Sequence, residues 1–150
     1  MIEIATCSYS QYKPEMGLPV RTSVGPSKWP RFDFIPHWTN VTPLPYTLRL
    51  PKPRYEEIYM KMLDDHGLEV LTEDLEWIQD SWYEEYPDSP IHPRLVFMCF
   101  ENLGTPGKWC HRQMFATWWE THTGQEVREL GAHPPHDAPV TPEPEQLAIL

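Results

Sequence analysis

LVFMCFENLGTPGKWCHR, residues 95–112, is the stretch that decides the fold of this chain. Its apolar start, residues 95–100, predicts a buried β-strand because it is continuous rather than alternating. A loop rich in Gly and Pro follows, and a helix begins near Cys110. The apolar face of that helix carries Met114, Phe115, Trp118 and Trp119. This order predicts an α/β domain with a parallel sheet, in which the strand ends beside the start of the helix.

Shorter patterns on either side extend this domain. Residues 2–7 predict a first strand and residues 127–130 a last one, so that the chain contains a βαβ unit with the strand at 95–100. We therefore expect a small parallel-sheet, Rossmann-like domain over residues 1–130.

The middle of the chain predicts two helices. Residues 54–66 show helical spacing, and Gly67 is placed to end that helix. Residues 68–71 suggest a short strand, after which Thr72 caps a second helix that Pro87 stops.

Proline marks the irregular parts. Nine of the eighteen prolines lie between Pro14 and Pro53, and five lie in the last seventeen residues. Proline lacks an N–H and continues neither a helix nor a central strand. We expect a long Pro-rich loop region over residues 11–53, with a short strand at 46–50, and an extended Pro-rich tail over residues 131–150.

The charge distribution excludes some function classes. The net charge is −10, and the segment from Glu56 to Glu85 holds eleven acidic residues against one lysine. Broad nucleic-acid binding needs a basic surface and is disfavoured. No run of about eighteen apolar residues and no signal sequence is evident, so we expect no membrane association. Three cysteines suit a reducing compartment, and we predict a cytoplasmic protein.

The motif around Cys110 also resembles the bacterial and phage family catalogued as domain of unknown function 488. The resemblance covers residues 95–130 and rests on the sequences MCFE at 98–101, CHR at 110–112 and GQEV at 124–127. It implies a small cytoplasmic α/β domain with a parallel sheet and no established activity. The family's Thr-x-Gly-x-Ser and Asp-Val-Arg motifs are matched only in part, because Ser8 replaces Gly and Pro19 replaces Asp.

Cys110, His111 and Glu101 are the candidate catalytic residues. A thiol at a helix start, beside an imidazole and a guanidinium, is the arrangement that produces a nucleophilic thiolate. Cys110 would then be the nucleophile, with His111 or Glu101 as the proton carrier. The alternative is a structural Cys110 with Arg112 paired to Glu101. The sequence leaves both open, and with them the question of whether the protein is an enzyme.

The candidate ligand-binding residues would form an anion site at the strand ends. Arg21 and Arg112 would clamp an anion where helix N–H groups also favour negative charge. Trp109 could stack on a ring. Further polar groups come from Ser8, Ser23 and Lys28. Taken alone, residues 21–28 are better explained as an ordinary polar turn, and only together with Arg112 do they form the second half of an anion site. We therefore expect a small anionic, nucleotide-like ligand.

The cysteines are also considered as metal ligands. Cys99 lies within an apolar strand and is expected in the core, and its spacing from Cys110 and His111 is not typical of zinc, so we predict no metal and no other cofactor. Cys7 would add a third thiolate only if the strands adjoin.

The alternative function is an acidic protein-interaction role, inhibitory or host-directed, through the 56–85 surface. That charge pattern is also typical of a solvated helix face.

Overall fold

A single parallel sheet forms the centre of the molecule. The computed structural model describes residues 2–28, 34–89, 94–101, 103 and 107–131. Its strands have the order β2-β3-β1-β4, and every pairing is parallel. They are β1 (Ile4–Ser8), β2 (Leu18–Arg21), β3 (Leu95–Cys99) and β4 (Arg128–Leu130). The predicted α/β class is confirmed. The predicted tail begins at Gly131, and its residues beyond Gly131 lie outside the described part of the chain.

Two helices, α1 (Lys52–Glu85) and α2 (His111–Thr123), complete the fold. α2 ends at Gly124 in the left-handed conformation, as its sequence predicts. α1 bends at Gly67, where φ is 83°, so the predicted helix end is confirmed. The strand predicted at 68–71 is wrong. Those residues are helical because Leu71 continues, with Leu75 and Ile78, one stripe of buried side chains.

The Pro-rich region is more ordered than predicted. β2 lies within it as an edge strand, a position where Pro19 is tolerated. β2 begins after Gly17, where any Cβ would clash with the carbonyl oxygen of Arg94. The strand predicted at 46–50 is wrong, because Pro45 starts a short 3₁₀ helix, Pro45–Arg49. Other 3₁₀ turns are Tyr9–Gln11, Pro14–Met16 and Thr39–Val41.

The two faces of the sheet have different covers. Alternate side chains of β3 point to opposite sides. Leu95 and Phe97 pack against both helices, whereas Val96 and Met98 pack in a cluster with Cys7. Cys99 follows the period of Phe97, so it faces the helices at the carboxyl end of its strand. In the part of the chain that the structure describes, neither helix is apolar enough over sufficient length to cross a membrane.

Candidate functional site

A cavity of about 380 Å³ opens where β2 and β3 end and α2 begins. Open α/β sheets bind ligands at this edge, and the volume lies within the usual range for small-molecule sites. We refer to it as the strand-end cavity. Its described lining residues are Ser23, Val24, Gly25, Pro43, Leu48, Tyr55, Cys99, Phe100, Glu101, Gly107, Lys108, Trp109, Cys110 and His111.

The nine predicted site residues divide between the cavity and its surroundings. Those that line the cavity are Cys110, His111, Glu101, Ser23 and Trp109. Those that do not are Arg21, Arg112, Ser8 and Lys28. The candidate catalytic residues are therefore brought together, whereas the two arginines of the predicted anion clamp stay outside the lining.

Arg112 is fully buried and holds the sheet to α2. Its Nε donates to Glu129 Oε1 at 2.8 Å, and its Nη1 donates to Cys99 Sγ at 3.0 Å. The Arg112–Glu101 pair considered in the sequence is therefore wrong. Glu129 lies in β4, where Thr6 of the adjacent β1 also donates to it at 2.8 Å, so the register of two strands selects this partner.

The other three residues outside the lining form local hydrogen bonds or face solvent. Arg21 donates to the carbonyl oxygens of Ser23, at 3.1 Å, and Val24, so it shapes the loop that forms one wall of the cavity. Ser8 is buried and donates to Gln11 Oε1 at 2.7 Å. Lys28 is exposed.

Lys108 supplies the positive charge of the cavity among the described residues. Its Nζ lies 3.7 Å from Glu101 Oε2, and the exposed fractions of the two side chains are 53% and 42%. Such a half-exposed ion pair is weak and is readily exchanged for another partner. Lys108 is not among the site residues predicted from the sequence, although it directly precedes Trp109 in the same loop.

Cys99 is buried in the core as predicted, and it also lines the cavity. A disulfide joins it to Cys110, and their Cα atoms are 7.5 Å apart. We expected reduced cysteines, and among them only Cys7 is free. Cys7 lies on the opposite face of the sheet from Cys99. The adjacency of β1 and β3 therefore does not bring its thiol to the Cys99–Cys110 pair. Burial raises the pKa of the Cys7 thiol to about 12.

His111 has a defined tautomer. Thr22 Oγ1 donates its single hydrogen to the carbonyl oxygen of Met98 at 2.7 Å, so it must accept from His111 Nε2, 2.9 Å away. The unprotonated Nδ1 therefore faces Cys110 Sγ at 3.5 Å. Burial, assisted by the charge of Arg112, lowers the pKa of His111 to about 3. An imidazole of such low basicity accepts a proton poorly, so Glu101 is the better candidate for that role.

Aromatic rings form the remaining wall. Trp109 meets Tyr55 edge-on with ring centroids 4.9 Å apart, and Tyr55 stacks on Tyr59. Burial raises the pKa of Tyr55 above its ordinary value, so this hydroxyl stays neutral. The sequence missed Tyr55 because its helical spacing with Tyr59 is the pattern of a core residue. Trp118 and Trp119 are buried as expected.

Comparisons with protein-family models, with curated proteins and with solved structures find no match for this chain. The resemblance to domain of unknown function 488 therefore stays a prediction.

Proposed function

We propose that the protein binds a small ligand with a flat ring and an anionic group, as a nucleotide has, in the strand-end cavity. The observation that carries this proposal is the combination of one cation, Lys108, with the aromatic walls of Tyr55 and Trp109 in a cavity at the carboxyl edge of a parallel sheet. The half-buried ring of Trp109 offers a stacking surface, the buried ring of Tyr55 supports it edge-on, and the cation offers a partner for the anion.

The Lys108–Glu101 ion pair explains how an anion would enter. A ligand phosphate carries more charge than one carboxylate and would replace Glu101 at Lys108. Glu101 would then be free to accept a proton at the cavity wall. In the reduced protein the Cys110 thiol would lie in the same wall, as a nucleophile for chemistry on the ligand when no metal holds it.

Isothermal titration calorimetry with adenosine monophosphate and with adenosine tests the proposal. We expect the wild-type chain to bind the monophosphate more tightly than adenosine. Lys108→Met should weaken only the monophosphate, about tenfold (~1.4 kcal/mol), and Trp109→Ala should weaken both. Lys61→Met is the matched control, because Lys61 also forms a side-chain ion pair but lies outside the cavity lining. Equal affinities for the two probes in the wild-type chain, or an unchanged Lys108→Met variant, would contradict the proposal.

One exposed residue favours the alternative, an acidic protein-interaction role. Trp77 is 63% exposed on α1, and Glu73 and Asp80 lie one turn away on the same face. Tryptophan is enriched at interface hot spots, and the acidic neighbours would select a basic partner. A labelled oligoarginine peptide should bind the wild-type chain. It should bind the Trp77→Ala/Glu73→Lys variant more weakly. An exposed control, Glu15→Lys, should bind as the wild type does. Equal loss in the control would leave only a general effect of net charge.

A further inference from the structure

We propose that Cys99, Cys110 and His111 of the reduced protein bind one Zn²⁺ in the wall of the strand-end cavity. The two sulfurs and one imidazole nitrogen lie within 4.8 Å of one another, and all three residues are buried. Thiolates and imidazole are the ligands that Zn²⁺ prefers. We refer to these three residues as the Cys–His cluster.

Reduction of the disulfide frees the two sulfurs to separate, and the distance from Cys110 to His111 within the Cys–His cluster already fits a shared tetrahedral ion. Zn–S and Zn–N bonds of usual length place a sulfur and a nitrogen on one tetrahedral Zn²⁺ about 3.6 Å apart. Cys110 Sγ and His111 Nδ1 are 3.5 Å apart. The Cα atoms of Cys99 and Cys110, 7.5 Å apart, lie beyond the span of about 4.4–6.8 Å that disulfides usually bridge. A shared ion does not impose that span, because each sulfur binds the metal instead of the other sulfur.

The outer partners of the Cys–His cluster are those of a metal site. A histidine ligand usually donates its second ring N–H to a fixed oxygen, which sets the tautomer. His111 does this through Nε2 to Thr22 and leaves Nδ1 directed at Cys110. Arg112 Nη1 donates to Cys99 Sγ at 3.0 Å, a bond that an anionic, metal-bound sulfur accepts better than a neutral one.

Three protein ligands leave one coordination position for a further ligand. Catalytic zinc sites have this ligand count, and all three residues of the Cys–His cluster line the cavity. Water or the anionic group of a bound molecule would occupy the fourth position. This last step rests on the proposed ligand-binding function, whereas the metal itself does not.

Zn²⁺ binding follows reduction of the disulfide and releases protons from the two thiols. The Cys99–Cys110 disulfide takes two electrons and two protons from a dithiol reductant, which becomes its own disulfide. The two thiols then release two protons as their sulfurs bind Zn²⁺.

Metal titration of the full chain tests the proposal. The protein is reduced with dithiothreitol, freed of the reductant without air, and titrated with ZnCl₂ or CoCl₂. We expect one Zn²⁺ per chain by native mass spectrometry and elemental analysis. Cobalt should give a sulfur-to-metal charge-transfer band with the intensity of two thiolates. Cys99→Ala, Cys110→Ala and His111→Ala should each weaken binding by about a hundredfold, and Thr22→Val by about tenfold.

Cys7→Ala is the matched control, because Cys7 is a buried cysteine on the other face of the sheet. It should keep one Zn²⁺ and the full cobalt band. The wild-type cobalt spectrum needs no variant, so the proposal stays testable if a variant fails to fold. A reduced, folded wild-type chain without stoichiometric Zn²⁺ or without the sulfur band would overturn it, as would equal loss in Cys7→Ala. Metal content and nucleotide affinity are separate readouts, so failure of either proposal is recognised without the other.

Discussion

Arg112 carries a charge from α2 into the interior of the molecule, and its partners come from two strands of the sheet. Its guanidinium binds Glu129 of β4 and the sulfur of Cys99 at the end of β3, while its own backbone belongs to α2. Taking a guanidinium out of water is costly unless it is paired and hydrogen-bonded. The Arg112–Glu129 pair is therefore a contact on which the packing of α2 against the sheet depends.

Arg112→Met tests this dependence. We expect the free energy of unfolding to fall by about 3 kcal/mol, because Glu129, with its side chain 17% exposed, loses its cation in the interior. Urea unfolding measures the change. Arg54→Met is the control, since the Arg54–Glu57 pair is exposed and should contribute within about 0.5 kcal/mol. The double variant Arg112→Met/Glu129→Met should recover part of the loss. A single variant as stable as the control would show that the buried pair is not needed.

Cys7 gives the chain a defined response to alkali. Burial, with a smaller contribution from Glu129, raises the pKa of its thiol from 9.0 to about 12. Between these values the unfolded chain releases the proton and the native chain keeps it. The contribution of Cys7 to stability is therefore complete below about pH 9 and declines as the pH rises through this window, by at most about 1.4 kcal/mol per pH unit. Cys7→Ala should unfold in urea with a shallower loss of stability between about pH 9 and about pH 11. Identical slopes in the two proteins would contradict the assignment.

Local sequence patterns account for β3 and α2 but not for β2. β3 is a continuous apolar run, and α2 has an apolar stripe and a terminal Gly124, so both are visible in a short window of sequence. β2 contains Pro19 and only four residues. Its strand conformation follows from pairing with β3, a segment far away in the sequence. Such pairing leaves no local signal.

The candidate site was predictable to the same degree. Cys110 and His111 were found because a strand end, a loop and a helix start follow one another in the sequence. The role of Cys99 depends on which face of β3 it occupies, and the partner of Arg112 depends on the register of β4. Both are properties of the assembled sheet, so the sequence placed Cys99 correctly in the core but not at the cavity wall, and the one carboxylate it offered as a partner for Arg112 was Glu101.

The bend in α1 depends on Gly67. Its φ of 83° and ψ of 157° belong to a region that is essentially restricted to glycine, and nothing lies within 4 Å of a Cβ at this position. Gly67→Ala should therefore lower the free energy of unfolding by about 2 kcal/mol through backbone conformation alone. Thermal and urea unfolding measure it.

Gly25→Ala is the control for Gly67→Ala. Gly25 also has open space around a Cβ but no positive φ, so alanine should be neutral or slightly stabilising there. A rise in stability for Gly67→Ala would contradict the prediction, because it would mean that α1 straightens into one continuous helix at no cost.

The strand-end cavity is assembled from segments that only the sheet brings together. Residues 23–25 follow β2, residues 99–101 end β3, residues 107–111 lead into α2, and Tyr55 belongs to α1. A group that binds at this junction contacts the native arrangement and loses most of its partners when the chain unfolds. Binding at the cavity must therefore stabilise the entire fold.

Zn²⁺ should show this linkage in the reduced protein. At a free concentration of about one hundred times the dissociation constant, an ion that binds only the native chain raises the free energy of unfolding by about 2.7 kcal/mol. Urea unfolding of the reduced wild-type chain, with and without Zn²⁺, measures the increment. Mg²⁺ prefers oxygen ligands and should have no effect, and the Cys110→Ala variant should lose the response while Cys7→Ala keeps it. An equal increment in Cys110→Ala would place the ion elsewhere on the chain. A smaller increment in a wild-type chain that binds one Zn²⁺ would mean that the thiols also bind the metal after unfolding, because only the difference in affinity between the two states contributes to stability.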